Sequence, residues 1–162
     1  MKLKMFASAL LLFLTASFAF ASEPNAAAAF DKMKQLSGKW EAMWEGKTAQ
    51  TSLAVISGGS ALMQNDSTEE NMVTMFHLDG PRLMMTHYCA AKNQPRMVGN
   101  VRPDGAIEFK FLDATNLADP KAGRMNRMIL TFKDADHFAE EWFFMTGGKE
   151  GKGETFNFTR KK

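Results

Sequence analysis

The residues with the most chemical potential lie on a predicted β-hairpin over residues 72–89. Asp79-Gly80 is typical of a two-residue type I′ turn, whose two central residues both need positive φ. With that turn at the centre, Met72 faces His87 across the hairpin. Because side chains alternate along a strand, one face carries Met72, Thr74, Phe76, Leu83, Met85, His87 and Cys89. We expect His87 to be neutral in this apolar company, since burial disfavours the charged imidazole.

This hairpin face leaves several chemistries open. A neutral imidazole could accept a ligand proton, bind a metal or act as a general base, and Cys89 could be a nucleophile. Met72, Met85, His87 and Cys89 together are soft ligands that suit copper(I). However, the chain has 13 methionines, and methionine commonly fills apolar cores. Residues two apart on a strand are as easily packing partners as catalytic ones.

Signatures of enzymes and nucleotide sites are missing from the sequence. It has no Gly-x-Ser-x-Gly elbow, no His-Glu-x-x-His and no glycine-rich phosphate loop after a strand. Glu140 and Glu141 point to opposite faces of a predicted strand, so they are not a natural acid–base pair. We therefore assign no catalytic residue, no metal site and no cofactor.

A polar loop follows the hairpin at residues 90–96 and is predicted to lie at the mouth of the fold. Arg96 offers a planar fork for a carboxylate or phosphate, and Asn93 can donate and accept hydrogen bonds. These two residues and Tyr88 would hold a polar head, while aromatic and apolar side chains would line a cavity. The predicted ligand-binding residues are Trp44, Met72, Met85, His87, Tyr88, Asn93, Arg96 and Trp142. The alternative is a filled wall with a few satisfied polar groups.

The elements that must position these residues are mostly strands. Phe30, Met33 and Leu36 recur with helical spacing and predict one short helix over residues 25–36. After Gly38 the apolar period becomes two, with glycine-containing turns between segments. The predicted strands are 39–45, 51–57, 61–66, 72–78, 82–89, 97–102, 106–112, 127–132, 138–145 and 154–160, with a loop over 113–124. About ten short strands favour an all-β, antiparallel up-and-down barrel, because closure removes sheet edges.

The N-terminus is typical of a secretory signal peptide. Lys2 and Lys4 precede an apolar run, and Ala19-Phe20-Ala21 is a small-x-small cleavage site, so we expect cleavage after Ala21. Residues 22–162 then form a single domain, in a periplasmic or secreted protein.

Charge and composition limit the classes of partner that we expect this protein to bind. The formal charge of +2 includes the two N-terminal lysines, so the mature chain is about neutral and lacks the basic footprint of a nucleic-acid-binding protein. No lipid anchor on the membrane is expected, since the single cysteine, Cys89, is far from the cleavage site. A second subunit covering an apolar outer face would make a homodimer.

The motif Gly38-Lys39-Trp40, just after a short helix and at the start of the first strand, resembles the Gly-x-Trp signature of the calycin superfamily. This group includes lipocalins, fatty-acid-binding proteins and nitrobindin-like barrels, and the ten-strand count is more similar to the last two. The resemblance implies that Trp40 lies at the closed base of the barrel, with Arg160 packed across it.

Further segments resemble an uncharacterised exported bacterial branch of this group; they are 57–62, 77–80 and 86–89. The resemblance implies a small hydrophobic or amphipathic ligand inside the barrel. The alternatives are an enzyme using His87 or Cys89, a haem- or metal-binding barrel, and a structural module without a ligand.

Overall fold

The structure, a computed structural model, describes residues 26–67 and 70–162. Within those ranges the chain forms one α-helix and eleven strands. They are α1 (Ala26–Lys34), β1 (Gly38–Trp44), β2 (Lys47–Ile56), β3 (Ala61–Asp66), β4 (Met72–Asp79), β5 (Arg82–Tyr88), β6 (Gln94–Val101), β7 (Ile107–Thr115), β8 (Arg124–Asp134), β9 (His137–Thr146), β10 (Lys149–Glu150) and β11 (Glu154–Arg160). The predicted signal peptide lies outside the described residues.

The strands form a closed antiparallel barrel. Strands β1 to β9 pair in sequence order, β9 also pairs with β11, and β11 pairs with β1. Ten strands therefore close the ring, while the two-residue β10 pairs only with β9. The prediction of an all-β up-and-down barrel with a short N-terminal helix is confirmed.

Helix α1 covers one end of the barrel, which we call the closed end. Its apolar face is the predicted one, because Phe30, Met33 and Leu36 are all buried. The helix packs against β4, β5 and β6. Behind it lies an apolar core that includes Trp40, Leu62, Phe76, Met85, Met97, Ile107, Phe109, Met128, Leu130, Phe138 and Phe158.

Trp40 anchors the closed end. Its side chain is fully buried, its Nε1 donates to the Leu36 carbonyl at 2.8 Å, and its ring meets Phe138 edge-on at 4.7 Å. The Arg160 guanidinium lies 4.0 Å from the Trp40 ring, which is a cation–π contact. The predicted packing of Arg160 across Trp40 is confirmed.

Gly38 is required by the same arrangement. Arg160 Nη1 donates to the Ser37 carbonyl at 2.9 Å, and a Cβ on Gly38 would lie 2.7 Å from that nitrogen. Gly38 also has a φ of +142°, a region that side-chain-bearing residues rarely adopt. Glycine two residues before the tryptophan thus lets the arginine reach both the ring and the backbone.

The predicted register of the β4–β5 hairpin is wrong by two residues. Asp79 pairs with Arg82, so the two loop residues are Gly80 and Pro81 rather than Asp79 and Gly80. The predicted turn would require Pro81 to donate a backbone hydrogen bond, and proline has no N–H. The shift by two keeps each side chain on its predicted face, but it places Thr74 opposite His87, where Met72 was expected.

Two other predictions change at the loops. Residues 94–96 belong to β6 and not to the mouth loop, and β7 continues to Thr115.

In the part of the chain that the structure describes, no helix combines the length and apolar character needed to cross a membrane.

Candidate functional site

The half of the barrel away from α1, here called the open half, has a polar interior. Four neighbouring strands, β2 to β5, contribute Thr51, Gln64, Thr74 and His87, and all four side chains are buried. Glu140, on β9, is buried as well, at 2% exposure. We define the polar cluster as Thr51, Gln64, Asp66, Thr74, His87, Glu140 and Trp142.

Gln64 joins two carboxyl groups inside this cluster. Its Nε2 donates to Asp66 Oδ1 and to Glu140 Oε2, each at 3.2 Å. Trp142 Nε1 donates to the same Glu140 oxygen at 2.9 Å. One amide thus bridges two acids that lie 74 positions apart in the chain on β3 and β9, across the interior of the barrel.

Burial changes the protonation of both acids. It raises the pKa of Glu140 to about 7, with the nearby Asp66 charge acting in the same direction, and the bonds from Trp142 and Gln64 oppose the rise. Burial also raises the pKa of Asp66. Glu140 therefore exchanges its proton near neutral pH, which is unusual for a carboxyl group.

Trp142 links His87 to this acid pair, because it is hydrogen-bonded to Glu140 and its ring contacts the imidazole. His87 Nδ1 shares a hydrogen bond of 2.8 Å with Thr74 Oγ1, and the ring centre of His87 lies 4.9 Å from that of Trp142. Burial lowers the pKa of His87 to about 4, so the imidazole is neutral at physiological pH, as predicted. Burial also raises the pKa of the Cys89 thiol, which disfavours the nucleophilic thiolate.

A second polar group lies at the rim of the open half. Arg124, at the start of β8, holds its guanidinium 4.2 Å from the Phe111 ring and donates from Nη1 to the Pro120 carbonyl at 2.9 Å. Asn93 Nδ2 donates to the Gly123 carbonyl at 2.8 Å. Both side chains are more than nine-tenths buried.

These two polar groups share one property. Among the residues that the structure describes, the buried side-chain nitrogen and oxygen atoms that have no hydrogen-bond partner are Gln64 Oε1, His87 Nε2, Asn93 Oδ1 and Arg124 Nε. All four belong to the open half of the barrel or its rim. Buried polar atoms are normally paired, because desolvating one without a partner costs about 1–3 kcal/mol.

The structure brings together some of the predicted ligand-binding residues. His87 and Trp142 lie in the polar cluster and Asn93 at the rim. Trp44, 36% exposed, lies at the open end, with its ring centre 5.8 Å from that of Phe156. Met72 is half-buried and pairs with Asp66 in the sheet.

Other predicted residues lie elsewhere. Met85 belongs to the apolar core, at 0% exposure. Tyr88 alternates with His87 on β5 and is 51% exposed on the outer wall. Arg96 is also exposed and forms an ion pair with Asp113. Around Met85 and His87 the interior is filled in this structure, because neither side chain is accessible to solvent beyond 2%.

Sequence reasoning missed the bridged acids and the buried arginine. A usable signal was present in β9, where strict alternation puts Glu140 on the same face as Phe138 and Trp142. Gln64 follows Leu62 in the same manner on β3. A polar residue on the apolar face of a strand indicates a buried group that needs a partner.

Two further observations concern metal binding and surface depressions. Within residues 26–67 and 70–162, no group of three or more histidine, cysteine, aspartate or glutamate side chains could hold a metal ion. Two shallow depressions, both lined in part by Ala29 and Val101, lie beside α1 at the closed end and not at the polar cluster.

Comparisons with known proteins give no family for this chain: no family model matches it, and no curated protein is significantly similar to it.

Proposed function

We propose that this protein is an exported, calycin-like barrel that binds a small amphipathic molecule in the open half. The observation that carries the proposal is the grouping of the four unpartnered buried polar atoms in that half. The polar group of a ligand would supply a partner for those of the four atoms that lie beside it, and its apolar part would bury surface against the aromatic side chains.

Energetics support a binding site over a purely structural interior. Each unpartnered buried atom costs the fold about 1–3 kcal/mol, and apolar side chains of similar shape would avoid that cost. The closed half of the same barrel avoids it, because its interior is built from aromatic and aliphatic residues. A bound ligand would recover part of the cost in the open half.

Entry to the interior requires movement at the rim. Gln64, His87 and Glu140 are closed to solvent and Asp66 is half-buried. Trp44 and Phe156 lie at the open end, with Trp44 partly exposed. We place the entrance at these two side chains, whose rotation would admit a ligand. The ligand would then replace contacts that the two rings now make with each other.

The location and the family rest on the sequence, with support from the fold. The signal peptide predicted over residues 1–21 carries the proposal of export. The stacking of Arg160 on Trp40 and the closed ten-strand barrel are compatible with a calycin. A small ligand is the partner that we propose, with no role for nucleic acid or a membrane anchor; a homodimer would bury part of the outer wall.

The alternatives receive less support from the geometry. Burial keeps the Cys89 thiol protonated and lowers the pKa of His87 to about 4, which makes the imidazole a weak base, so the two residues are poorly prepared for nucleophilic catalysis. In the observed register Thr74, and not Met72, lies opposite His87, which weakens the case for a copper site built on Met72 and His87.

A neutral fluorescent probe tests the proposal. N-phenyl-1-naphthylamine, uncharged at neutral pH, should bind the folded protein saturably and gain fluorescence. Trp44→Ala should weaken its binding, since the indole lies at the entrance. Met43→Ala, an exposed side chain next to it on the same strand, should leave binding unchanged.

Two results would overturn the proposal. One is the lack of saturable probe binding by the folded protein, and the other is an equal effect of the Trp44 and Met43 variants. Native mass spectrometry of protein purified from its own host complements the test, because a retained small-molecule mass would identify the natural ligand.

A further inference from the structure

The polar cluster contains unequal numbers of hydrogen-bond acceptors and donors. Its acceptors include both carboxyl groups, of Asp66 and Glu140, and the amide oxygen of Gln64. Its donors to these groups are the Gln64 amide nitrogen, already shared between the two acids, the indole nitrogen of Trp142 and the Thr51 hydroxyl beside Asp66. When both acids are ionised, the interior around them therefore has more hydrogen-bond acceptors than donors.

Gln64 shows this imbalance most directly. Its side chain is fully buried, and its Nε2 lies 3.2 Å from an oxygen of each acid. The Oε1 on the same amide has no partner, so an unused acceptor lies beside the two carboxyl groups. A group with several N–H donors could bind this oxygen and a carboxylate oxygen together.

The charge of the acid pair is also unbalanced. Among the described residues, no lysine or arginine forms an ion pair with Asp66 or Glu140, and His87 is neutral. The basic side chain at the rim, Arg124, is held by backbone carbonyls and the Phe111 ring. An interior with two acids and no counter-ion attracts a cation when the acids are ionised.

Aromatic side chains lead from the acid pair to the rim. Phe156 is the sheet partner of Glu140, and its ring contacts that of Trp44 at the open end. Trp142 is hydrogen-bonded to Glu140 from the same strand. An apolar chain attached to a cation at Glu140 would therefore run along aromatic faces, which also favour cations.

We infer that the ligand is an amphipathic amine whose protonated nitrogen binds among Gln64, Asp66 and Glu140, with its apolar chain along Phe156 and Trp44. This inference rests on the proposed function and names its ligand class. An ammonium group has three donors and no acceptor, which fits the imbalance of the cluster. An alcohol offers one donor, and a carboxylate would be repelled by both acids.

Three probes of equal chain length separate this inference from the proposal that it deepens: octylamine, 1-octanol and octanoate. Isothermal titration at about pH 8 keeps the amine protonated, because alkylammonium groups have pKa values of about 10. We expect octylamine to bind roughly ten- to a hundredfold more tightly than 1-octanol, as hydrogen bonds to charged groups provide. Octanoate should bind more weakly than 1-octanol.

Variants assign the preference to the acid pair. Glu140→Gln keeps the shape of the side chain and removes its charge, so the preference for octylamine over 1-octanol should fall about tenfold. Asp66→Asn is the second variant, in case the first does not fold. Glu41→Gln is the matched control, because Glu41 is an exposed acid on the outer wall.

The outcomes are distinguishable. If 1-octanol or octanoate binds as tightly as octylamine, the inference is overturned while the proposed function stands. The inference also fails if both acid variants fold and keep the full preference for the amine. If none of the three probes binds, and the neutral fluorescent probe does not bind either, the proposed function fails together with the inference.

Discussion

Glu140 and His87 should give opposite contributions to the pH dependence of stability. The pKa of Glu140 is raised from 4.5 to about 7 in the folded protein, so the native state holds this proton more tightly than the unfolded chain. The free energy of unfolding should therefore fall as pH rises from 4.5 to about 7. The pKa of His87 is lowered from 6.5 to about 4, so its contribution to stability is lost as pH falls through that range.

The two effects are of similar size. Each pKa changes by an amount that corresponds to about 3 kcal/mol, because one pKa unit is worth about 1.4 kcal/mol. Both side chains are 2% exposed, so solvent screens neither of them appreciably. In the wild-type protein the two opposite slopes should largely cancel between pH 4.5 and 6.5.

Single substitutions should reveal each slope. Glu140→Gln removes the group that destabilises the fold at higher pH, so its stability relative to wild type should rise by about 3 kcal/mol between acid and alkaline conditions. His87→Gln removes the group that destabilises the fold in acid. The stability of this variant relative to wild type should rise by about 3 kcal/mol as pH falls from 6.5 to about 4.

The assay is urea unfolding followed by tryptophan fluorescence, at several pH values from about 4 to 8. Differences from wild type at each pH remove the contributions of acids that do not interact with the substituted group. Glu41→Gln, on the exposed outer wall, is the control for loss of a carboxylate and should follow wild type. Curves for the Glu140 and His87 variants that run parallel to wild type throughout would refute the assigned protonation states.

Two further predictions concern packing in the closed half. Trp40→Ala should lower the free energy of unfolding by about 3–5 kcal/mol in urea denaturation, because it removes a fully buried indole and the ring beneath Arg160; an unchanged midpoint would show that the tryptophan does not anchor the closed end. Gly99→Ala should cost about 1–3 kcal/mol, since its Cβ would lie 2.7 Å from the buried Phe109 ring, whereas Gly151→Ala, whose Cβ would meet nothing closer than 3.4 Å, should cost less in the same assay.

Local pattern predicted the strands well. Residues 61–66 and 154–160 form strands with the predicted bounds, since alternation and flanking turns are properties of neighbouring residues. The two-residue β10 was missed, because so short a segment has no period to detect. The predicted register of the β4–β5 hairpin is wrong because a turn centred on Asp79-Gly80 needs a backbone N–H at position 81, which Pro81 lacks.

Part of the site was also visible in the sequence. Residue type and position on apolar strand faces predict His87 and Trp142 as site residues, and both lie in the polar cluster. Side-chain chemistry alone predicts Tyr88 and Arg96 as site residues, but the alternation of β5 and β6 puts them on the outer wall. For Tyr88 the outward position also follows from the sequence, because it is adjacent to the inward-facing His87 on the same strand.

The sequence by itself determined the period of the strands, the approximate positions of most turns and which side chains share a face, because these depend on residues close together in the chain. The tertiary structure decided which inward residues meet. Gln64 and Glu140 are 76 positions apart, and their contact arises only when the sheet curves and β9 pairs with β11 to close the barrel. The raised pKa of Glu140 and the lowered pKa of His87 follow from that closure, since burial inside the barrel removes the water that would otherwise stabilise their charged forms.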